Sequence, residues 1–106
     1  MTYQPNFKVP RIRSKPHMAY VASLPCIVCG WHEVQVHHLT CGREAKARGL
    51  KASDSATLPL CAADHTALHA RGDERVFWHA LGIDPIAAAD RLWLESQAAR
   101  AGREMP

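Results

Sequence analysis

Cysteine and histidine gather in two places in this chain: Cys26-Ile-Val-Cys29 leading to His37-His38, and Cys61-Ala-Ala-Asp64-His65-Thr-Ala-Leu-His69. Thiolates and imidazoles are ligands for zinc and its neighbours. Counted as donors, these residues exceed what one tetrahedral ion needs and come close to supplying two. One set is rich in thiolate and suits a closed, structural ion, whereas the other is rich in imidazole and suits an ion with open positions for chemistry. His65 and His69 are four residues apart, so on a helix both imidazoles point to one side and can share an ion.

Periodicity and punctuation suggest the elements that must position these donors. Residues 1–16 carry Pro5, Pro10 and Pro16 among basic residues with no apolar period, and read as an extended, flexible basic arm. Residues 16–24 suit a short helix ending before Pro25. Cys26-Ile-Val-Cys29-Gly30 resembles a zinc knuckle, in which two intervening residues let the backbone turn and present both sulfurs to one ion. Val34-Gln-Val-His37 alternates like a strand, and residues 56–60 form a second short apolar run. Between them lies a long, basic connection, residues 39–55, of a length that is functional or disordered in compact domains. From Ala62 the pattern is helical. Gly72 supplies a stop, Asp73 caps a helix over 74–81 ended by Gly82, and Asp84-Pro85 opens a closing helix to Ala101.

A chain of 106 residues makes one domain, and setting the arm aside leaves about 80 to 90 residues, a size whose core is marginal unless a structural metal adds stability. There is no 18-residue apolar run and no charged-then-apolar leader, so the expectation is a soluble, cytoplasmic protein with no membrane partner. In that compartment four cysteines favour metal over disulfides; a secreted protein bridged through Cys26 and Cys61 is the less favoured alternative. Net charge is only +3 but uneven: residues 1–51 hold eight basic and two acidic side chains, residues 52–106 five basic and eight acidic. Arg43, Lys46, Arg48 and Lys51 on the connection, with Lys8, Arg11, Arg13 and Lys15 on the arm, fit phosphate contacts that position DNA without reading its sequence. His17, beside the arm, is expected to be exposed. Trp78 and Trp93 suit core packing at helical positions, and Trp31 beside the knuckle is open to stacking on a base.

Strand, long loop, strand and helix, with a histidine pair ending the first strand and two more on the helix, resembles the ββα-metal or HNH endonuclease superfamily. The similarity is to its zinc-stiffened branch, which includes phage RecA-dependent nucleases of the Ref type. It rests on Leu24-Pro25-Cys26-x-x-Cys29, His37-His38, Lys51-Ala52-Ser53-Asp54, Leu58-Pro59-Leu60-Cys61, Asp64-His65 and Leu68-His69, and spans residues 20–72. The tail, Phe77-Trp78 to Gly82-Ile83-Asp84-Pro85, looks like related phage and prophage proteins. The resemblance implies an α+β fold: a small ββα-metal finger over residues 24–72 with a structural zinc knuckle, and covering helices over 73–101, together a nuclease domain of residues 17–106.

By the same resemblance, His37, His65 and His69 hold a divalent catalytic ion (Mg²⁺, Mn²⁺, Zn²⁺ or Ni²⁺), and His38 is the general base that takes a proton from the attacking water. The family usually supplies asparagine, or a substitute, to orient that base. Asp54 stands near the place here, and capping a turn with Ser53 or Ser55 is the less favoured alternative. The structural Zn²⁺ falls to Cys26, Cys29 and Cys61, with Asp64 where a cysteine or histidine normally completes the set; Cys41 and His32 are the alternatives. The expected function is a phage or prophage HNH endonuclease hydrolysing DNA phosphodiester bonds. The alternative is a zinc-dependent DNA-binding module, or one that docks on a recombinase filament or phage packaging protein, without cleavage of its own.

Overall fold

Side chains that accept the free amides of the first turn set where the helices begin. The computed structural model describes residues 11–41 and 52–104. Ser14 caps α1 (Lys15–Ala22), with its side chain accepting from the His17 amide and Pro16 in the first turn, where a missing N–H costs nothing. Cys61 caps α2 (Ala62–Arg71), its sulfur accepting the Asp64 amide, and Gly72 ends that helix with φ of 82°, a conformation side chains disfavour. Asp73 caps α3 (Glu74–Ala80), and Asp84 Oδ1 accepts the Ile86 and Ala87 amides, both at 3.1 Å, at the head of α4 (Pro85–Glu104).

Between α1 and α2 run two strands, β1 (Gln35–His38) and β2 (Thr57–Leu60), paired antiparallel with Gln35 opposite Leu60, Val36 opposite Pro59, His37 opposite Leu58 and His38 opposite Thr57. The result is a small α+β fold around one two-stranded sheet. All four residues of β2 are buried; α1 and α4 pack on it, α2 lies across both strands, and α3 packs on α2. Leu58, Leu60, Leu68, Trp78, Ala89 and Leu92 form the core between these elements. Pro59 sits in β2 without its N–H, which a two-stranded sheet tolerates, and its carbonyl accepts the Ile27 amide at 3.0 Å. That bond ties the knuckle to the sheet.

Three expectations change. The arm ends sooner than residue 16: Lys15 and Pro16 are helical, and residues 11–14 are pinned rather than flexible, because Ile12 exchanges hydrogen bonds with Ser53 and Asp54. His17 is buried, not exposed, because it and Val21, four residues apart, form the face of α1 turned to α4; there its Nδ1 lies 2.6 Å from Ser96 Oγ and its ring meets Trp93 edge-on. The first strand is one residue later than expected, taking in His38. Trp78 is in the core as expected, and Trp31 is 54% exposed. Among the described residues no helix is long and apolar enough to cross a membrane.

Candidate metal centres

The knuckle and the start of α2 bring four donors together. Cys26, Cys29, Cys61 and Asp64 each offer a ligand atom, all within 4.8 Å of one another. The knuckle closes through Gly30 N–H to Cys26 O and Cys26 N–H to Trp31 O, both 2.8 Å, with Gly30 at φ of 79°. Cys61 and Asp64 join the set because the helix cap places them one turn apart. Zn–S bonds of about 2.3 Å and Zn–O bonds of about 2.0 Å give tetrahedral edges of about 3.8 Å between sulfurs and about 3.5 Å between sulfur and oxygen. Cys29 Sγ lies 3.7 Å from Cys61 Sγ, and Asp64 Oδ2 lies 3.3 Å from Cys26 Sγ and 3.2 Å from Cys61 Sγ.

The electrostatics also suit a cation. The Trp31 amide favours the Cys29 thiolate, yet Asp64, desolvation and the other two sulfurs push that thiol up to about 12. Hydrogen bonds from Cys61, Cys29 and Cys26 against partial burial hold the Asp64 carboxyl below its ordinary value. Four acids converging on one point cannot all ionise without a positive charge among them. Asp64 is therefore the fourth donor that the residues offer. Cys41 and His32 stand outside the group, His32 on the exposed surface 4.0 Å from Glu33. All four cysteines are free thiols, so no Cys26–Cys61 bridge forms.

The second group is His37, His65 and His69, again with donor atoms within 4.8 Å. His37 Nε2 lies 3.0 Å from Glu74 Oε2, and His65 Nδ1 lies 2.6 Å from Gln35 Oε1. A carboxylate and an amide oxygen only accept, so these contacts place the ring protons of both histidines on the outer nitrogens. The inner nitrogens, His37 Nδ1 and His65 Nε2, then carry lone pairs that face each other at 3.2 Å; His69 Nε2 is 3.1 Å from His65 Nε2. Facing lone pairs repel unless a cation lies between them, and Zn–N bonds of about 2.0 Å give an edge of about 3.3 Å. Burial, and next the positive charge that His37 and His69 can carry, lower the His65 pKa and keep it a neutral ligand. The residues thus fit two metal ions, a closed one on Cys26, Cys29, Cys61 and Asp64 and an open one on the three imidazoles.

His38 is outside both groups. Alternation along β1 sends Gln35 and His37 to one face of the strand and His38 to the other. There its Nε2 lies 2.9 Å from Asp54 Oδ1, while Asp54 Oδ2 accepts the Ser14 amide at 2.7 Å. Burial raises the Asp54 pKa, but the hydrogen bonds from His38 and Ser14, with the charges of His38 and Arg13, outweigh it and leave a carboxylate. The Asp54 side chain therefore orients His38 rather than capping its own turn, which closes through Ala56 N–H to Ser53 O at 2.9 Å and Thr57 Oγ1 to Asp54 O at 2.7 Å.

Glu74 and Gln35, which accept from His37 and His65, are the supports of the imidazole set that the sequence alone does not single out. Glu74 is buried, its carboxylate accepting from His37, from Trp78 Nε1 at 2.8 Å and from the Thr40 amide at 2.8 Å. Burial alone would raise its pKa, but bonds from His37, Thr40 and Trp78 prevail and hold it at about 2. An acidic residue in the first turn of a helix carries no mark of which way it points, so Glu74 was hidden; Gln35, two before His37 and so on the same strand face, was within reach. Of the expected DNA contacts, Arg13 donates to Ala52 O at 2.8 Å and lies 3.6 Å from Asp54 Oδ1, beside the His38–Asp54 couple rather than on a free arm. Arg11 and Lys15 are also described, whereas Lys8, Arg43, Lys46, Arg48 and Lys51 lie outside the described residues.

One family, described as "Protein of unknown function (DUF968)", matches residues 1–92. No curated protein and no solved structure matches the chain.

Proposed function

The chain belongs to that family, and we propose that it is a metal-dependent DNA endonuclease of the HNH type. The observation that carries this reading is the pairing of an open three-imidazole set, with lone pairs turned inward by Glu74 and Gln35, with a histidine–carboxylate couple one residue away on the same strand. An antiparallel pair followed at once by a helix that carries two of the imidazoles supports reading residues 24–72 as a ββα-metal finger, stiffened by zinc on the knuckle set.

His37, His65 and His69 would hold the divalent ion, which when bound supplies Lewis-acid stabilisation of charge developing on the phosphate. The rest of the chemistry falls to the protein. With Nε2 committed to Asp54, His38 offers Nδ1 as the base. As water attacks phosphorus, its O–H bond breaks toward His38, the new O–P bond forms, and the bond to the 3′ oxygen breaks, that oxygen leaving as an alkoxide that takes a proton from solvent water; resemblance to the HNH superfamily suggests 5′-phosphate products. Asp54 holds the His38 tautomer and stabilises the imidazolium that results. Buried Glu74 keeps His37 facing inward and adds basicity to that ligand. Basic residues in the N-terminal half supply non-specific attraction to the backbone.

Metal-stripped protein, resupplied in turn with Mg²⁺, Mn²⁺, Zn²⁺ or Ni²⁺, is expected to nick supercoiled DNA or cut single strands only after resupply. Binding without cleavage by folded, metal-loaded protein would replace this reading with that of a DNA-binding or partner-docking module.

A further inference from the structure

We propose that residues Ile12–Ser14 form a positioning strap for the His38–Asp54 couple. The kinetic consequence rests on the nuclease reading; the structural one does not. The two oxygens of Asp54 go to different donors: Oδ1 to His38 Nε2 at 2.9 Å and Oδ2 to the Ser14 amide at 2.7 Å. That amide belongs to backbone fixed on both sides. Ile12 N–H donates to Ser53 Oγ at 3.0 Å, Asp54 N–H donates to Ile12 O at 2.8 Å, and the Arg13 guanidinium reaches Ala52 O at 2.8 Å. Downstream, α1 is anchored to α4 where His17 Nδ1 meets Ser96 Oγ at 2.6 Å.

A carboxylate held at one oxygen turns freely about its last bond, where the torsional wells are broad. Held at both, it keeps Oδ1 in place as acceptor for His38 Nε2 and so keeps the Nδ1 lone pair of His38 free. The strap also accounts for an aspartate rather than an asparagine at this position. An asparagine offers one acceptor and one donor, so with two N–H groups facing it one of them would meet an amide N–H₂.

The test is an amide-to-ester replacement at residue 14 in the full-length, metal-loaded protein, which deletes the Ser14 N–H and keeps its side chain. Imidazole ¹⁵N spectra of the wild type are expected to show His38 as the single Nε2–H tautomer, and those of the ester chain a mixture of both. DNA cleavage by the ester chain is expected to lose about 10- to 100-fold in kcat with KM unchanged, the range for loss of an orienting partner. Asp54→Asn should cost a similar factor in the wild type and a clearly smaller one in the ester chain, where the donor it cannot satisfy is gone. Should the ester chain not fold, Ser53→Ala, which removes the acceptor of the Ile12 amide, is expected to shift the tautomers in the same direction by less. An unaltered His38 tautomer in the folded variant overturns the strap, whether or not any cleavage is seen. A shifted tautomer beside a wild type that never cuts supports the strap and overturns the nuclease reading instead.

Discussion

Glu74 offers no donor to either ion, yet it joins His37, Thr40 and Trp78 in one buried cluster. Glu74→Gln is expected to weaken metal binding at the imidazole set about 10- to 100-fold while leaving the knuckle ion in place, read by titrating Co²⁺ and following the thiolate and imidazole bands separately. Equal weakening of both sites, or none, would count against its role. Its acid response follows from its position: the carboxyl sits at about 2 in the fold against an ordinary 4.5. The unfolded chain therefore binds more protons across that interval, so the stability Glu74 contributes, about 3 kcal/mol, is complete above the ordinary value and is lost as pH falls toward the folded one. Denaturant midpoints of wild type and Glu74→Gln should differ at neutral pH and converge in acid. At this scale the donors themselves were legible, since cysteine and histidine have few other reasons to recur at these spacings. Their supports were not, because glutamate and glutamine are common on every surface and only the fold turns them inward.

Elements join the two sites. Cys61 caps α2, Asp64 lies in its first turn, and His65 and His69 follow on the same helix, so two donors of one set also start the helix that carries two donors of the other. Stripping the knuckle ion with a chelator is expected to lower helicity and the thermal midpoint together and to weaken metal binding at the imidazoles, as circular dichroism and calorimetry would show. An unchanged spectrum after verified zinc loss would contradict that coupling. The contact between α1 and α4 has its own signature. Burial lowers the pKa of His17 below its ordinary 6.5, against a smaller pull from Asp54. The folded state thus resists a proton that the unfolded chain accepts, and this part of the stability is full above that value and declines as pH falls beneath it. His17→Leu should flatten the loss of stability between neutral pH and pH about 5. The strands, the metal helix and the covering helices could be read from alternation, caps and glycines. The burial of His17 could not, since α1 is short and only tertiary contact with Ser96 and Trp93 decides its inward face.

For the whole molecule, a modest net charge conceals a basic half and an acidic half. Non-specific DNA binding should fall steeply with salt, and replacing two of Arg43, Lys46, Arg48 and Lys51 by alanine should lower the slope of log affinity against log salt by about 2. A slope unmoved by those changes would place the contact elsewhere. The His38–Asp54 couple is the centre of the proposed chemistry, since His38 is one residue along β1 from His37 of the imidazole set. The most direct measurement is single-turnover DNA cleavage by wild type and by His38→Ala, both shown to be folded and to carry the same metal. Cleavage is expected of the wild type, with a loss of about 10²- to 10⁴-fold in the variant, the usual contribution of a general base; equal rates in the two proteins, or no cleavage by either, would overturn the nuclease reading.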